Sequence, residues 1–228
     1  MSRFSLRFTT LCAGLMLSAS AMALSLGDLS QSDASAGVKD ALTQGAQLAV
    51  KQLSAPGGFN DNPDVRIELP GKLGKAAKAM KMFGQGDKVE ALENSMNAAA
   101  EAAVPQAQAI LVDAVKKMSV ADAKGILSGG DDSATQYLNK SSREQIRAKF
   151  LPIVKQATDK VGVAQQYNAF AGQAKSLGLI KDDANIENYV TEKALDGLFE
   201  RIAKEEQSIR QNPAQAATSL AKKVFSAL

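Results

Sequence analysis

Residues 87–118 read DKVEALENSMNAAAEAAVPQAQAILVDAVKKM and contain the longest periodic pattern in the chain. Apolar side chains recur there at intervals of three and four residues, the spacing that places them on one face of an α-helix. Small side chains between 98 and 103 would let another helix approach closely. Pro105 lacks a backbone N–H, so we expect a kink or a break near Val104.

The same helical spacing continues on both sides of this run. Ser119 and Asp122 form a capping-box-like start for a short helix, and Ser141 and Glu144 form a capping box that would open another. Pro213 after Asn212 is typical of a helix start. The pattern predicts further helices over about 32–53, 72–83, 163–177 and 186–209. The expected fold is all-α: a single-domain bundle of about seven to nine helices, several kinked at Pro.

Residues 55–70 interrupt the helical pattern. Turn-forming residues fill the first half, and the second half alternates apolar and polar side chains with a period of two. A single strand without a partner does not make a sheet. We therefore expect an extended arm that lies across the helices and is anchored by apolar side chains, namely Phe59, Val65, Ile67 and Leu69.

The arm has two interpretations. In the first it docks on its own helices with Arg66 and Glu68 outward, because water-exposed Val65, Ile67 and Leu69 would each forgo roughly 1.5–3 kcal/mol. In the second it adds to a strand of a partner, since its backbone groups lack a ladder.

The first 23 residues follow the signal-peptide pattern. Arg3 and Arg7 form a positive start, residues 11–17 form a short apolar run, and AMA at 21–23 is a cleavage signal. The run is too short to span a bilayer, which needs about 20 residues. We expect cleavage after Ala23, periplasmic residence and a mature domain over 24–228, with two lobes meeting near Ser119 as the alternative organisation.

The composition of the mature chain excludes several chemistries. The chain has no His or Trp, and its one cysteine, Cys12, lies in the leader. Disulfides, structural zinc sites and Ser-His-Asp or Cys-His catalysis are therefore excluded. Of the 27 Lys and Arg, two lie in the leader, so 25 oppose 24 acids and the net charge is +1. No nucleic-acid partner, transmembrane segment, cofactor or metal site is indicated.

Two polar clusters are candidate binding sites. Asp131 and Asp132 follow two glycines, and oxygen ligands of this kind suit calcium, although the EF-hand pattern is absent. The alternative, which we favour, is a helix C-cap followed by an acidic N-cap. Gln166, Tyr167 and Asn168 would line a polar pocket mouth. The favoured alternative there is a Tyr167 anchored in the core with solvated neighbours.

Two further charge patterns have ordinary explanations. Four lysines at every third position over 72–81 would bind anionic lipid or peptidoglycan, but such a stripe is usually a solvated helix face. Glu93 and Glu101 lie eight residues apart on the long helix. Two acids suffice for a glycosidase, yet surface acids show the same spacing, and nothing else marks a catalytic pair.

Several stretches resemble a known family of exported proteobacterial proteins, domain-of-unknown-function family 4197. They are residues 26–58, SMNAAAEAAVP at 95–105, VDAVKKMS at 112–119, GGDD at 129–132, ATQY at 134–137, FLPIV at 150–154, AQQYN at 164–168 and KALDGLF at 193–199. The resemblance covers nearly the whole mature chain. It implies a helical periplasmic protein and supplies no activity, substrate or catalytic residue.

Two functional hypotheses follow. The first is a non-catalytic periplasmic binding or protein-interaction module whose partner is an unidentified periplasmic protein or envelope component. The alternative is a carboxylate-dependent enzyme acting on a cell-envelope polymer, which the missing His and Cys disfavour. Two acids facing each other in a deep polar cleft would indicate the enzyme, whereas an apolar groove or patch would indicate the binder.

Overall fold

The computed structural model describes residues 30–71, 86–160, 167 and 185–228. No strand occurs in this part of the chain, which confirms the all-α class. The leader and the helix expected over 72–83 lie outside the described residues, as does the helix expected over 163–177 apart from Tyr167. The helices are α1 (Gln31–Leu53), α2 (Gly86–Ala103), α3 (Ala107–Lys117), α4 (Val120–Ser128), α5 (Ser133–Lys160), α6 (Ile186–Gln211) and α7 (Ser219–Phe225).

The break expected near Val104 is present. A single 3-10 turn over Val104–Gln106 separates α2 from α3, with Pro105 at its start. Because Pro105 has no N–H to donate, the α-helical ladder is interrupted there. The side chains that face inward on either side of the turn include Met96, Ala99, Ala100, Ala103, Val104 and Ala107, all fully buried.

Helix α1 lies against α3, α4, α6 and α7, while α5 lies against α2, α3 and α6. The N-terminus of α1 is capped by Ser30, whose hydroxyl accepts a hydrogen bond from the N–H of Asp33. Gly37 lets α7 come close, because a Cβ at this position would lie 2.5 Å from Cγ2 of Val224. The missing side chain at Gly37 thus makes room for Val224 where α1 and α7 meet.

Of the two predicted capping boxes, only the first forms. Ser119 caps α4 reciprocally with Asp122, since its Oγ accepts from the N–H of Asp122 and the Asp122 carboxylate accepts from the N–H of Ser119. The helix start predicted at Ser141 is wrong, because α5 runs through it without interruption. The hydroxyls of Ser141 and Ser142 instead donate to carbonyls one turn earlier, at Tyr137 and Leu138.

The C-terminal helix also begins later than the Asn212-Pro213 pair predicts. Pro213 opens a short 3-10 turn, Pro213–Gln215, and Asn212 makes no side-chain capping bond. Helix α7 starts at Ser219, where Thr218 Oγ1 accepts from the N–H of Ala221 at 3.0 Å. Pro213 therefore follows the end of α6 but does not start α7.

Candidate functional site

The arm over residues 55–70 lies on the helical core. Phe59 is fully buried, and Val65 and Ile67 are 8% and 1% exposed. Leu69 is partly buried against the same core. The preceding turn uses Gly57 at a φ of +80°, a conformation that favours glycine. These apolar side chains face the protein's own helices.

The side-chain amide of Asn97, on α2, binds the main chain of the arm in both directions. Its Oδ1 accepts from the N–H of Ile67 at 2.8 Å, and its Nδ2 donates to the carbonyl of Ile67 at 2.9 Å. Asn97 is fully buried, and Nδ2 also donates to the carbonyl of Glu93 at 2.7 Å. Asn97 therefore satisfies the main-chain N–H and C=O of Ile67, as a residue of a neighbouring strand would in a sheet.

Acidic side chains also hold the arm. Oε1 of Glu101 accepts from the main-chain N–H groups of Phe59 and Asn60, at 3.0 and 3.2 Å. Glu93 lies 3.9 Å from the guanidinium of Arg66. The two acids considered as a catalytic pair thus contact the arm instead of facing each other across a cleft.

Helix α6 meets the arm at a glycine. A Cβ on Gly197 would lie 2.8 Å from Cε1 of Phe59 and 3.2 Å from Cβ of Val65. The absence of a side chain at Gly197 therefore allows the apolar residues of the arm to reach the helix. Another contact between the arm and α6 is the ion pair of Asp64 with Lys204, at 2.6 Å. The hydrogen bond from Lys204 lowers the pKa of the Asp64 carboxyl below its ordinary value.

An open groove runs between the second half of the arm and α6. It is lined on one side by residues 63–68 and on the other by Tyr189, Lys193, Asp196, Gly197 and Glu200. The hydroxyl of Tyr189 crosses the groove and donates to the carbonyl of Glu68 at 2.9 Å. Burial, followed by the negative charge of Glu68, raises the pKa of Tyr189 above its ordinary value, so this hydroxyl keeps its proton.

A charged cluster between α5 and α6 flanks the groove. Arg143 donates to Glu192 at 2.7 Å and to Asp196 at 2.8 Å, and Arg147 donates to Glu192 at 2.6 Å. Burial raises the pKa of Glu192, but hydrogen bonds from the two arginines outweigh it and hold the pKa below its ordinary value. The cluster fixes α6 against α5 and keeps Glu192 ionised.

The loop with Asp131 and Asp132 lies just before α5, and the side-chain contact that the structure shows there is local. Asp131 is exposed, and Asp132 accepts from the side chain of Gln136 at 2.9 Å. The first turn of α5 is capped from another helix, since the buried carboxylate of Glu206 accepts from the N–H groups of Ala134 and Thr135 at 3.0 and 2.9 Å. Among described residues, no group of three or more acids is placed to hold a metal ion.

The second predicted cluster is only partly within the described residues. Tyr167 belongs to the buried core. Burial, followed by the charges of Tyr189 and Glu187, raises the pKa of Tyr167 to about 12. Gln166 and Asn168 lie outside the described residues, so the predicted pocket mouth stays a prediction.

Four residues that organise this region were not predicted: Asn97, Tyr189, Gly197 and Glu206. The position of Asn97 on its helix could have identified it. Positions 93, 97, 100 and 104 share one helix face, and all four are buried, so an amide there must find an internal partner. The other three act through contacts with residues far away in the sequence, which periodicity does not reveal.

Comparison with known proteins identifies the family alone. No curated protein and no solved structure matches the chain. None of the described helices is long and apolar enough to cross a membrane. A family model described as "Protein of unknown function (DUF4197)" matches residues 28–226, and the chain therefore belongs to that family.

Proposed function

We propose that this protein is a non-catalytic periplasmic binding module whose partner occupies the groove between the arm and α6. The observation that carries the proposal is a groove with two fixed walls. Asn97 and Glu101 hold the arm through its main chain, and Gly197 lets the arm lie directly on α6. Preorganised walls reduce the entropy lost on binding.

The state of the acids beside the groove supports binding over catalysis. Asp196 accepts from Arg143, and Asp64 is paired with Lys204. The pKa of Asp64 is lowered by its partner, as is that of the nearby Glu192. A carboxylic acid that donates a proton near neutral pH needs a raised pKa. Asp64 and Glu192 are therefore suited to hold cations and to fix the walls.

The proposed compartment rests on the leader. Residues 1–23 combine a positive start, a short apolar run and an AMA cleavage signal. The only cysteine lies in this leader, so the mature chain has no thiol for an oxidising compartment to modify. Both features suit a protein that works outside the cytoplasm.

Site-specific photo-crosslinking tests the binding role. A benzophenone amino acid would replace Lys193, an exposed residue of the groove, and in a matched control Lys149, an exposed residue of α5. After irradiation in cells, mass spectrometry should find a protein adduct at position 193 that is missing at 149. Adducts at neither position, or the same adducts at both, would contradict the proposal.

A further inference from the structure

One edge of the arm is paired and the opposite edge is open. The main-chain groups of Ile67 point towards Asn97 on α2. In an extended chain the N–H and C=O groups of successive residues point to opposite sides. The carbonyl of Arg66 and the N–H of Glu68 share trans peptide units with the N–H and the carbonyl of Ile67, so these two groups point away from Asn97.

Two main-chain groups on this open edge are unoccupied. The N–H of Arg66 donates to the carbonyl of Asn62, and the carbonyl of Glu68 accepts from Tyr189. The carbonyl of Arg66 and the N–H of Glu68 have no hydrogen-bond partner within the described ranges, and both residues line the groove. An acceptor and a donor two residues apart are thus available to a ligand.

This spacing matches one step of a strand ladder, parallel or antiparallel. In a parallel pair, one residue donates its N–H to the carbonyl of residue i−1 on the neighbouring strand and accepts from the N–H of residue i+1. With Ile67 as residue i, the two open groups are those of Arg66 and Glu68. The main chain of an extended peptide presents an N–H donor and a C=O acceptor on one side at this separation.

The charges along the groove select the kind of peptide. Four carboxylates line it, from Asp64, Glu68, Asp196 and Glu200. Asp196 pairs with Arg143 and Lys193, and Asp64 and Glu200 share the single ammonium of Lys204. Glu68 is exposed and has no ion pair in the described part of the chain, so its negative charge favours a ligand with Lys or Arg side chains.

We propose that the groove binds an extended basic polypeptide segment that pairs with the arm. The main chain of this segment bridges the carbonyl of Arg66 and the N–H of Glu68, and its basic side chains lie near Glu68. This proposal rests on the proposed function, because it specifies the occupant of the same groove.

Fluorescence polarisation with labelled hexapeptides tests the mode of binding on the mature protein. The probe has three Lys-Val repeats, and the controls are three Glu-Val repeats and the basic peptide with its central amides N-methylated. We expect the basic peptide to bind at least about tenfold more tightly than either control. Equal binding of all three peptides would overturn the mode proposed here, while groove-specific crosslinks in cells would still support a binding module.

Variants at Glu68 separate charge from hydrogen bonding. Glu68→Gln removes the charge and keeps the N–H, while Glu68→Pro removes both. The N–H of Glu68 makes no internal bond, and the residue before a proline favours an extended conformation. The Glu68→Pro protein should bind the basic peptide about fivefold more weakly than the Glu68→Gln protein does. If Glu68→Pro does not fold, the N-methylated peptide tests the other hydrogen bond of the pair, in which the N–H of the peptide donates to the carbonyl of Arg66.

A charge reversal has a matched control on α5. Glu68→Lys should weaken binding of the basic peptide by at least about tenfold and leave thermal stability unchanged, because Glu68 is exposed. Glu144→Lys makes the same charge change at an exposed position outside the groove. Equal affinity of the Glu68→Lys and Glu144→Lys proteins for the basic peptide would contradict the proposal.

Discussion

Asn97 and Ile67 form a closed pair in which one side-chain amide satisfies both main-chain groups of one residue. The two hydrogen bonds measure 2.8 and 2.9 Å, and both residues are buried. A short extended segment with no strand beside it would otherwise bury an unpaired donor and acceptor. The amide thus lets an isolated extended segment lie on an all-helical core.

Replacement of Asn97 should release the arm. We expect Asn97→Leu to lower the free energy of unfolding by about 2 kcal/mol or more, because it leaves the N–H and C=O of Ile67 buried without partners. Gln108→Leu on α3 is the control. Gln108 is exposed and away from the arm, so its replacement should change stability by no more than about 0.5 kcal/mol. Urea unfolding measures both, and equal effects would show that the pairing contributes little.

Two helical glycines should respond to alanine with opposite signs. Gly197→Ala places a Cβ 2.8 Å from Phe59 and should lower stability by roughly 1–3 kcal/mol. Gly125, in α4, has nothing within 4 Å of its would-be Cβ. Gly125→Ala should therefore raise stability by about 0.5–1 kcal/mol. Thermal melts of the two variants test this. A stabilised Gly197→Ala protein would mean that the arm does not pack closely against α6.

The Glu192 cluster should make stability depend on acid pH. The folded-state pKa of Glu192 lies below its ordinary value, so its contribution is present above that value and is lost as the pH falls through the folded pKa. Glu192→Gln should be less stable than wild type at pH 7, and the difference should shrink below about pH 4.5. Denaturant unfolding across this range measures it, with Glu144→Gln as a charge-matched control. A difference that stays constant with pH would contradict the assignment.

The mature protein should begin at Leu24 and reside in the periplasm. Cell fractionation and N-terminal mass mapping of the purified protein test both statements. A replacement of Ala23 by a bulky residue should slow cleavage, because the peptidase reads small side chains at this position. Retention of Met1 on the bulk of the protein, or its presence in the cytoplasmic fraction, would contradict the prediction.

The sequence predicted the elements that depend on local chemistry. The break at Pro105 follows from a missing N–H, and the start of α4 follows from Ser119 and Asp122, three residues apart. The turn-rich, alternating composition of residues 55–70 likewise predicted an extended arm. Each of these signals lies within a few residues of the feature that it specifies.

The features that the sequence did not predict depend on distant contacts. Glu206 caps α5 from 71 and 72 residues away, so no local pattern marks it. The Ser141 signal was ambiguous, because a serine hydroxyl can cap a new helix or bond to the preceding turn of a continuing one. Neither the groove nor Gly197 has a sequence pattern, since both arise only where the arm meets α6.

Residue-resolved amide hydrogen exchange tests the central claim, that one edge of the arm is fixed and the other is open to a partner. The N–H of Ile67 should exchange at least about a hundredfold more slowly than that of Glu68. Of these two N–H groups, only that of Ile67 donates a hydrogen bond within the described structure. Saturation with the Lys-Val hexapeptide should then slow exchange at Glu68 and leave Ile67 unchanged. Fast exchange at Ile67 in the folded protein, or exchange at Glu68 that the peptide does not alter, would contradict the claim.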